Sequence, residues 1–430
     1  MSLSKWRQRL IGLFAWRPGT LAIGTLSMSV GMGLRTVGQA GVFLIVARVL
    51  GVESYGAYAA ILAIATTLGT FGGLGAQTLM LRDVARDPAK FGLAWGRALL
   101  SIAVSGPILF LIYLLIGWIL LPAGIPWLAV VLIGAAELLF APTIFASFTA
   151  YQSRECIGRA GRLAAIPILP RLAAALLLLS VSTMLVNEMR LMVWSLLYAV
   201  SMFLAAAYSV RVASRDLGRP IRPPNKQLRD RLSGGLAFAS GRAALKLYSD
   251  IDKTMLARLS TLEAAGIYSV GYRVVEITLV PLNALLATAA PRFFRVGAYG
   301  VRAALSYAWR ILPLPLFYVL AVGAALYCLA GWLPLILGIT YRPAVSALRW
   351  LSWLPLVSLP RFLLQPVLLG VDRQEVLVKV LGVGAVIDIL LNLVLIPLWG
   401  WRGAVISVYV AEVAMGAVLW AFVTRSQRAT

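Results

Sequence analysis

The stretch ARVLGVESYGAYAA, residues 47–60, lies between two long apolar runs, and its polar pattern returns 210 positions later as ARLSTLEAAGIYSV, residues 257–270. The register holds without a gap and matches Ala47 with Ala257, Arg48 with Arg258, Glu53 with Glu263, Gly56 with Gly266 and Tyr58 with Tyr268. Arg82 and Arg292 keep the same offset. A short polar element repeated at one spacing between apolar runs predicts a duplicated helical unit, with the motif forming the turn that starts the second helix of each copy.

Working outward, apolar runs fill the chain. It has 430 residues, 61% hydrophobic and 13% charged, with a mean hydropathy of +0.88, which excludes an ordinary soluble domain. A helix needs about 20 apolar residues to cross about 30 Å of hydrocarbon. Twelve such spans are expected, at 20–47, 55–80, 97–121, 126–150, 162–186, 190–211, 234–255, 264–290, 303–330, 345–370, 376–397 and 402–424. The first run is long, glycine-interrupted and followed by further spans, so it is read as a retained helix. Two cysteines, Cys156 in a basic loop and Cys328 in a span, indicate no disulfide framework. Without histidine, imidazole proton relays and most zinc sites are excluded, and no cofactor is expected.

Of the 39 Lys and Arg, 25 fall in one alternating set of loops and tails and six in the opposite set. The positive-inside rule then places both termini in the cytoplasm, which requires an even number of spans. Trp118, Trp127, Trp399 and Trp401 flank short turns on the other side, where amphipathic rings sit at the interface. A formal charge of +23 is therefore read as orientation and attraction to membrane lipids, with no nucleic acid as partner. The longest polar stretch, RDLGRPIRPPNKQLRDR at residues 215–231, reads as a cytoplasmic linker. It gives a tail at 1–19, a first lobe at 20–212, the linker at 213–233, a second lobe at 234–424 and a tail at 425–430. Six spans per lobe means both copies share one orientation, with the symmetry axis along the membrane normal and room for a cavity between them.

Eight basic residues remain within or near spans: Arg35, Arg171, Arg242, Lys246, Arg273, Arg310, Arg349 and Arg361. Each costs about 2.5–3.5 kcal/mol in hydrocarbon unless it meets water or a partner. Arg242, Lys246, Asp250 and Lys253 follow steps of four, four and three, and Gly31, Arg35 and Gln39 steps of four, so each set shares one helix face. Arg273 and Glu276 do likewise, three apart. Such faces require a polar cavity. Arg35, Gln39, Arg242, Lys246 and Arg273 are the expected substrate-binding residues, as a cationic site for an anionic headgroup. The other reading is pairing within the protein, Arg273 with Glu276 and Lys246 with Asp250. Asp250, Glu276 and Asp388 are the candidates for coupling or gating. Glu137, Asp388 and Glu412 stand as lone acids in apolar helices, with Asn392 one turn from Asp388. Arg171 and Arg361, each next to proline, are read as cap or hinge residues; Arg310 and Arg349, near span ends, snorkel to the interface. Tyr58 and Tyr268 follow the turn directly and are read as interface anchors, with stacking on sugars the other role open to them.

LIVARVLGVESYGAYAAILAIATTLGTFGGLGAQTLMLRDVAR (44–86), YSDIDKTMLARLSTLEAAGIYSVGYRV (248–274) and LNLVLIPLWGWRGAVIS (391–407) resemble the Wzx-type polysaccharide flippases. That resemblance implies the multidrug/oligosaccharidyl-lipid/polysaccharide exporter superfamily, hence an all-α polytopic membrane protein of about twelve transmembrane helices in two pseudo-symmetric six-helix lobes, a MATE-like fold. It implies translocation of a lipid-linked oligosaccharide across a bacterial inner membrane through a cavity lined by spans 1, 2, 7 and 8, with a polysaccharide polymerase and chain-length machinery as downstream partners. No enzymatic step is needed. Its rivals are a drug exporter of the same fold, which would want carboxylates in the cavity, and a membrane glycosyltransferase or polymerase, which would want a large outer loop.

Overall fold

The computed structural model describes residues 20–223, 243 and 246–428, with side chains between residues 30 and 426. Every regular element among these residues is a helix. The opening motif explains the first of them. Helix α1, Thr20–Gly69, is broken at Gly51, whose φ/ψ of 74°/172° suits glycine. Phe43 and Tyr55 flank the break with ring centroids 5.9 Å apart, so the two limbs fold back on each other as a hairpin. In the second copy residue 261 takes the place of Gly51 and solves the same turn differently. Thr261 caps the following helix, its hydroxyl accepting from the Ala264 N–H at 3.0 Å.

From α1 the chain passes through Gly73, Leu74 and Gly75, all at positive φ, into α2 (Ala76–Arg86), then α3 (Phe91–Leu120) and α4 (Trp127–Ala135). A wide π turn, Ala136–Phe140, carries α4 into α5 (Ala141–Ser153). Pro142 causes it, because a proline cannot donate to the Leu138 carbonyl, and Ala141 reaches back five residues to Ala136 instead. Helices α6 (Ile157–Ala165), α7 (Ile168–Val181) and α8 (Asn187–Leu217) complete the first lobe. The second lobe comprises α9 (246–259), α10 (Leu262–Thr278), α11 (Val280–Gly297), α12 (Val301–Ile311), α13 (Pro313–Leu329), α14 (Ala344–Leu351), α15 (Leu359–Gly370), α16 (Gln374–Trp399) and α17 (Trp401–Arg428).

Ten helices among the described residues are long and apolar enough to cross a membrane. One of them, Val30–Gly69, contains the hairpin and makes two crossings, and α9 is the described part of the expected seventh span. The described residues thus give eleven crossings, with α9 as part of the twelfth that the hydropathy pattern predicts. Helix α1 packs on α6, α7 and α8 in its own lobe and on α10 across the lobe boundary, while α17 packs on α15 and α16.

Two boundaries differ from expectation. Helix α8 runs past residue 212 to Leu217, and α9 runs past residue 255 to 259. Residues 218–223 then lie along α3, where Ile221 donates to the Gly92 carbonyl at 2.8 Å. Glycine is required at Gly96, because a Cβ there would lie 2.0 Å from the Ile221 carbonyl oxygen. The rest of the expected linker, like Arg242, lies outside the described residues.

Candidate functional site

The repeated motif closes one end of the space between the lobes. A Cβ on Gly56 would lie 1.9 Å from the Leu262 carbonyl oxygen, and one on Gly266 1.9 Å from that of Val52. The two glycines thus let the backbones of α1 and α10 touch reciprocally. Three hydrogen bonds also cross there: Thr254 Oγ1 to the Ala60 carbonyl at 3.1 Å, Arg48 Nη1 to the Ile336 carbonyl at 2.9 Å and Tyr341 Oη to the Ala47 carbonyl at 2.8 Å. The last is a direct consequence of Gly51, since breaking the helix there leaves the preceding carbonyls without their helical donors.

Below this seam lies a cavity of about 560 Å³. The first lobe contributes Arg35, Gln39, Tyr58, Glu137, Arg171 and Tyr198, and the second Lys246, Asp250, Lys253, Arg273 and Glu276. The substrate-site candidates Arg35, Gln39, Lys246 and Arg273 thus converge on one space, with Asp250 and Glu276 among them. Charge is distributed unevenly around it. In the second lobe Asp250 lies between Lys246, at 2.5 Å, and Lys253, while Arg273 Nη1 meets Glu276 Oε2 at 2.6 Å. These are the intrahelical pairs that the spacing allowed.

The first lobe has no equivalent neutralisation. Among the described residues no carboxylate lies within ion-pair distance of Arg35 or Arg171. The Arg171 guanidinium stands 4.9 Å from the Tyr198 ring centroid and 2.7 Å from Met202 Sδ. Tyr198 in turn donates to Glu137, which the π turn carries. Five cations therefore face three carboxylates, an excess of two among the described residues.

Several residues are corrected by this geometry. Arg171 is not a cap or hinge but part of the cavity wall. Arg361 is not one either: its Nε and Nη2 each donate at 2.8 Å to Glu412, which is therefore not a lone acid and also accepts from Tyr248 Oη at 2.9 Å. Nor are the paired tyrosines interface anchors. Tyr58 lines the cavity, and Tyr268 is fully buried and donates to Asp252. Asp388 is buried apart from the cavity lining. It accepts from Asn392 Nδ2 at 3.1 Å, as the one-turn spacing suggested. One oxygen each of Asp388, Asn392 and Asp252 has no hydrogen-bond partner.

A family model described as polysaccharide biosynthesis protein matches residues 21–296, well over half of the chain. The chain belongs to that family. The family resemblance drawn from the motifs is borne out. Solved structures similar to this chain include transporters of the MOP superfamily. One, a multidrug resistance MATE family transporter in an inward-facing conformation, is 16% identical, covers 94% of this chain and 97% of that one, and has a TM-score of 0.64. The outward-facing conformation of a MATE family transporter gives 13% identity, 94% of both chains and a TM-score of 0.59. A third is a MOP superfamily transporter from Pyrococcus furiosus, described as having a binding pocket of reverse polarity that suggests a different function; it is 14% identical over 94% of both chains, with a TM-score of 0.64. No curated protein matches this chain in sequence. Family and helix pattern make this a multi-pass membrane protein of the polysaccharide biosynthesis family, with the fold of the MOP superfamily transporters.

Proposed function

We propose that this protein flips a polyprenyl-diphosphate-linked oligosaccharide across the bacterial inner membrane, for exopolysaccharide, O-antigen or capsule assembly. The observation that carries this reading is the cation excess of the cavity, above all Arg35 and Arg171, which have no carboxylate partner among the described residues. Charge held in a membrane protein without a counter-ion is costly, and an arriving diphosphate would supply that counter-ion through charge-assisted hydrogen bonds. Gln39 adds a neutral donor and acceptor beside Arg35. Asp250 and Glu276 are proposed as gates, which release Lys246, Lys253 and Arg273 to the headgroup when it enters. Asp388 is proposed as a coupling residue, since buried carboxylate and amide oxygens without partners leave room for a proton or small cation.

The polyprenyl tail would stay among the membrane lipids, because moving it into water forfeits about 0.8 kcal/mol per CH₂. The seam at Gly56 and Gly266 would be the outer gate, with both termini cytoplasmic, and the lobes would rock about it. A polymerase with its chain-length machinery would consume the flipped product. A drug exporter fits the cavity less well, because lipophilic cations would meet like charge.

Changing Arg35, Arg171 and Lys246 to glutamine keeps their length and hydrogen-bonding capacity and removes the charge. Each charge-assisted contact is worth about 1.5–3 kcal/mol, or about ten- to 150-fold in affinity. Single variants should lower surface polysaccharide output by about tenfold, and the triple variant should abolish it at unchanged protein level. Undiminished output from the triple variant would overturn the proposal.

A further inference from the structure

A second cavity, of about 450 Å³, lies within the second lobe, and Glu276 stands in the walls of both cavities. Its volume falls in the range of about 300–1,000 Å³ usual for small-molecule sites. Its chemistry differs from that of the first. The formal charges of Arg361 and Glu412 cancel in a two-pronged pair, and that of Glu276 is met by Arg273 at 2.6 Å, so this chamber offers little net attraction to an anion or a cation. What remains are amides and rings. Gln365 and Asn283 each present a donor and an acceptor, and Phe294 and Phe362 border the same space. Asn283 is exposed and Gln365 half-buried. Primary amides directed at acyl chains would be left without partners, so this wall is built for an aqueous, hydrogen-bonding occupant.

A chamber that combines neutral amides with aromatic faces, beside a cationic cavity, has the recognition chemistry of an uncharged sugar. Ring hydroxyls give and take hydrogen bonds, and the apolar face of a pyranose lies against an aromatic ring. We propose that the second cavity is the subsite for the uncharged sugars of the glycan, while the cationic cavity holds the diphosphate. This inference rests on the proposed function and divides the headgroup between two chambers separated by Glu276. It also gives Arg361 a role beyond packing: held by Glu412, it presents its remaining N–H groups as fixed donors without presenting net charge.

The test is equilibrium binding to the full-length protein in nanodiscs, using undecaprenyl diphosphate without sugar and the same lipid carrying a neutral tetrasaccharide. Ala287→Trp fills the second chamber from α11. Gln365→Ala and Asn283→Ala remove single amides with less risk to folding. The expected result is a roughly tenfold weaker affinity for the tetrasaccharide lipid in each variant, with affinity for the sugar-free lipid within twofold of the wild type. Equal weakening for both lipids would overturn the inference and identify a chamber for the isoprenoid tail. Unchanged affinity for the tetrasaccharide lipid in all three variants would also overturn it, while leaving the proposed function intact if Arg35→Gln still weakens both lipids. A wild type that binds neither lipid would remove the proposed function and this inference together.

Discussion

Replacing Glu412 with alanine is expected to destabilise the protein by about 3–5 kcal/mol, the cost of removing one partner from a buried ion pair. Both donor groups of Arg361 that reach Glu412 do so at 2.8 Å, and Tyr248 donates to the same carboxylate. Glu412 is 3% exposed and Arg361 8%, so the charge of either is left largely desolvated when the other is lost. Without its carboxylate, the guanidinium keeps the Phe362 ring, 4.6 Å away, which cannot replace two charge-assisted bonds. The double variant Arg361→Met, Glu412→Leu removes both charges and should recover most of the loss, because a pair replaced by apolar groups leaves nothing unpaired. Thermal or denaturant unfolding in one detergent across the two single variants and the double measures this. A double variant as unstable as the singles would mean that shape and not charge holds α15 to α17.

Gly56→Val is expected to shift the protein almost completely out of the conformation described here, and Gly266→Val to do the same. Each glycine meets main-chain oxygen across the lobe boundary, with no space for a Cβ at 1.9 Å. Backbone cannot swing aside as a side chain can, so the seam must open. Driving a two-state equilibrium from 1:99 to 99:1 takes about 5.5 kcal/mol, and a clash of this size on either side supplies a penalty of that order. Spin labels at Glu53 and Glu263, both exposed beside the seam, should give a short separation in the wild type and a longer one in either variant. An unchanged separation in both variants would show that the seam is not the closing contact. Gly51→Val tests a separate property: it strains a positive φ and should destabilise the hairpin without favouring one conformation.

The fold was legible because its decisive features are local. A hairpin turn, its echo at a constant offset and the alternation of basic loops each lie within a few residues of sequence. Gly56 and Gly266 could be matched by register, and the structure gives that match its physical content, since Gly56 meets Leu262 as Gly266 meets Val52. The cavity faces were legible for the same reason. Steps of three and four residues fix which side chains share a helix face, and Lys246, Asp250 and Lys253 do share one with the cavity.

What stayed hidden depends on which helix lies opposite. Arg361 and Glu412 are 51 positions apart, and no helical periodicity relates α15 to α17. Arg171 looked like a hinge because Pro170 precedes it, yet its place in the cavity wall follows from α7 lying against α1 and α8. A usable signal was present: Arg171 and Glu137 are each an unpaired charge in an apolar helix of the same lobe, and two such costs are most easily met in one polar space. Tyr58 and Tyr268 were misplaced because a tyrosine after a turn satisfies the aromatic-belt pattern equally well when it faces inward. The end of α9 was set at residue 255 and not 259 because span length was read from hydropathy, which fades where a helix turns its charged face to a cavity.

The central claim is that the space between the lobes selects an anionic headgroup. The direct measurement is a paired titration of the purified protein in nanodiscs, with undecaprenyl diphosphate in one arm and a lipophilic rhodamine cation in the other, for the wild type and for the Arg35→Gln, Arg171→Gln double variant. The account predicts saturable binding of the diphosphate lipid that weakens at least a hundredfold in the variant, and little binding of the cation to the wild type. Tight binding of the cation, with the diphosphate lipid bound weakly and equally by both proteins, would contradict it.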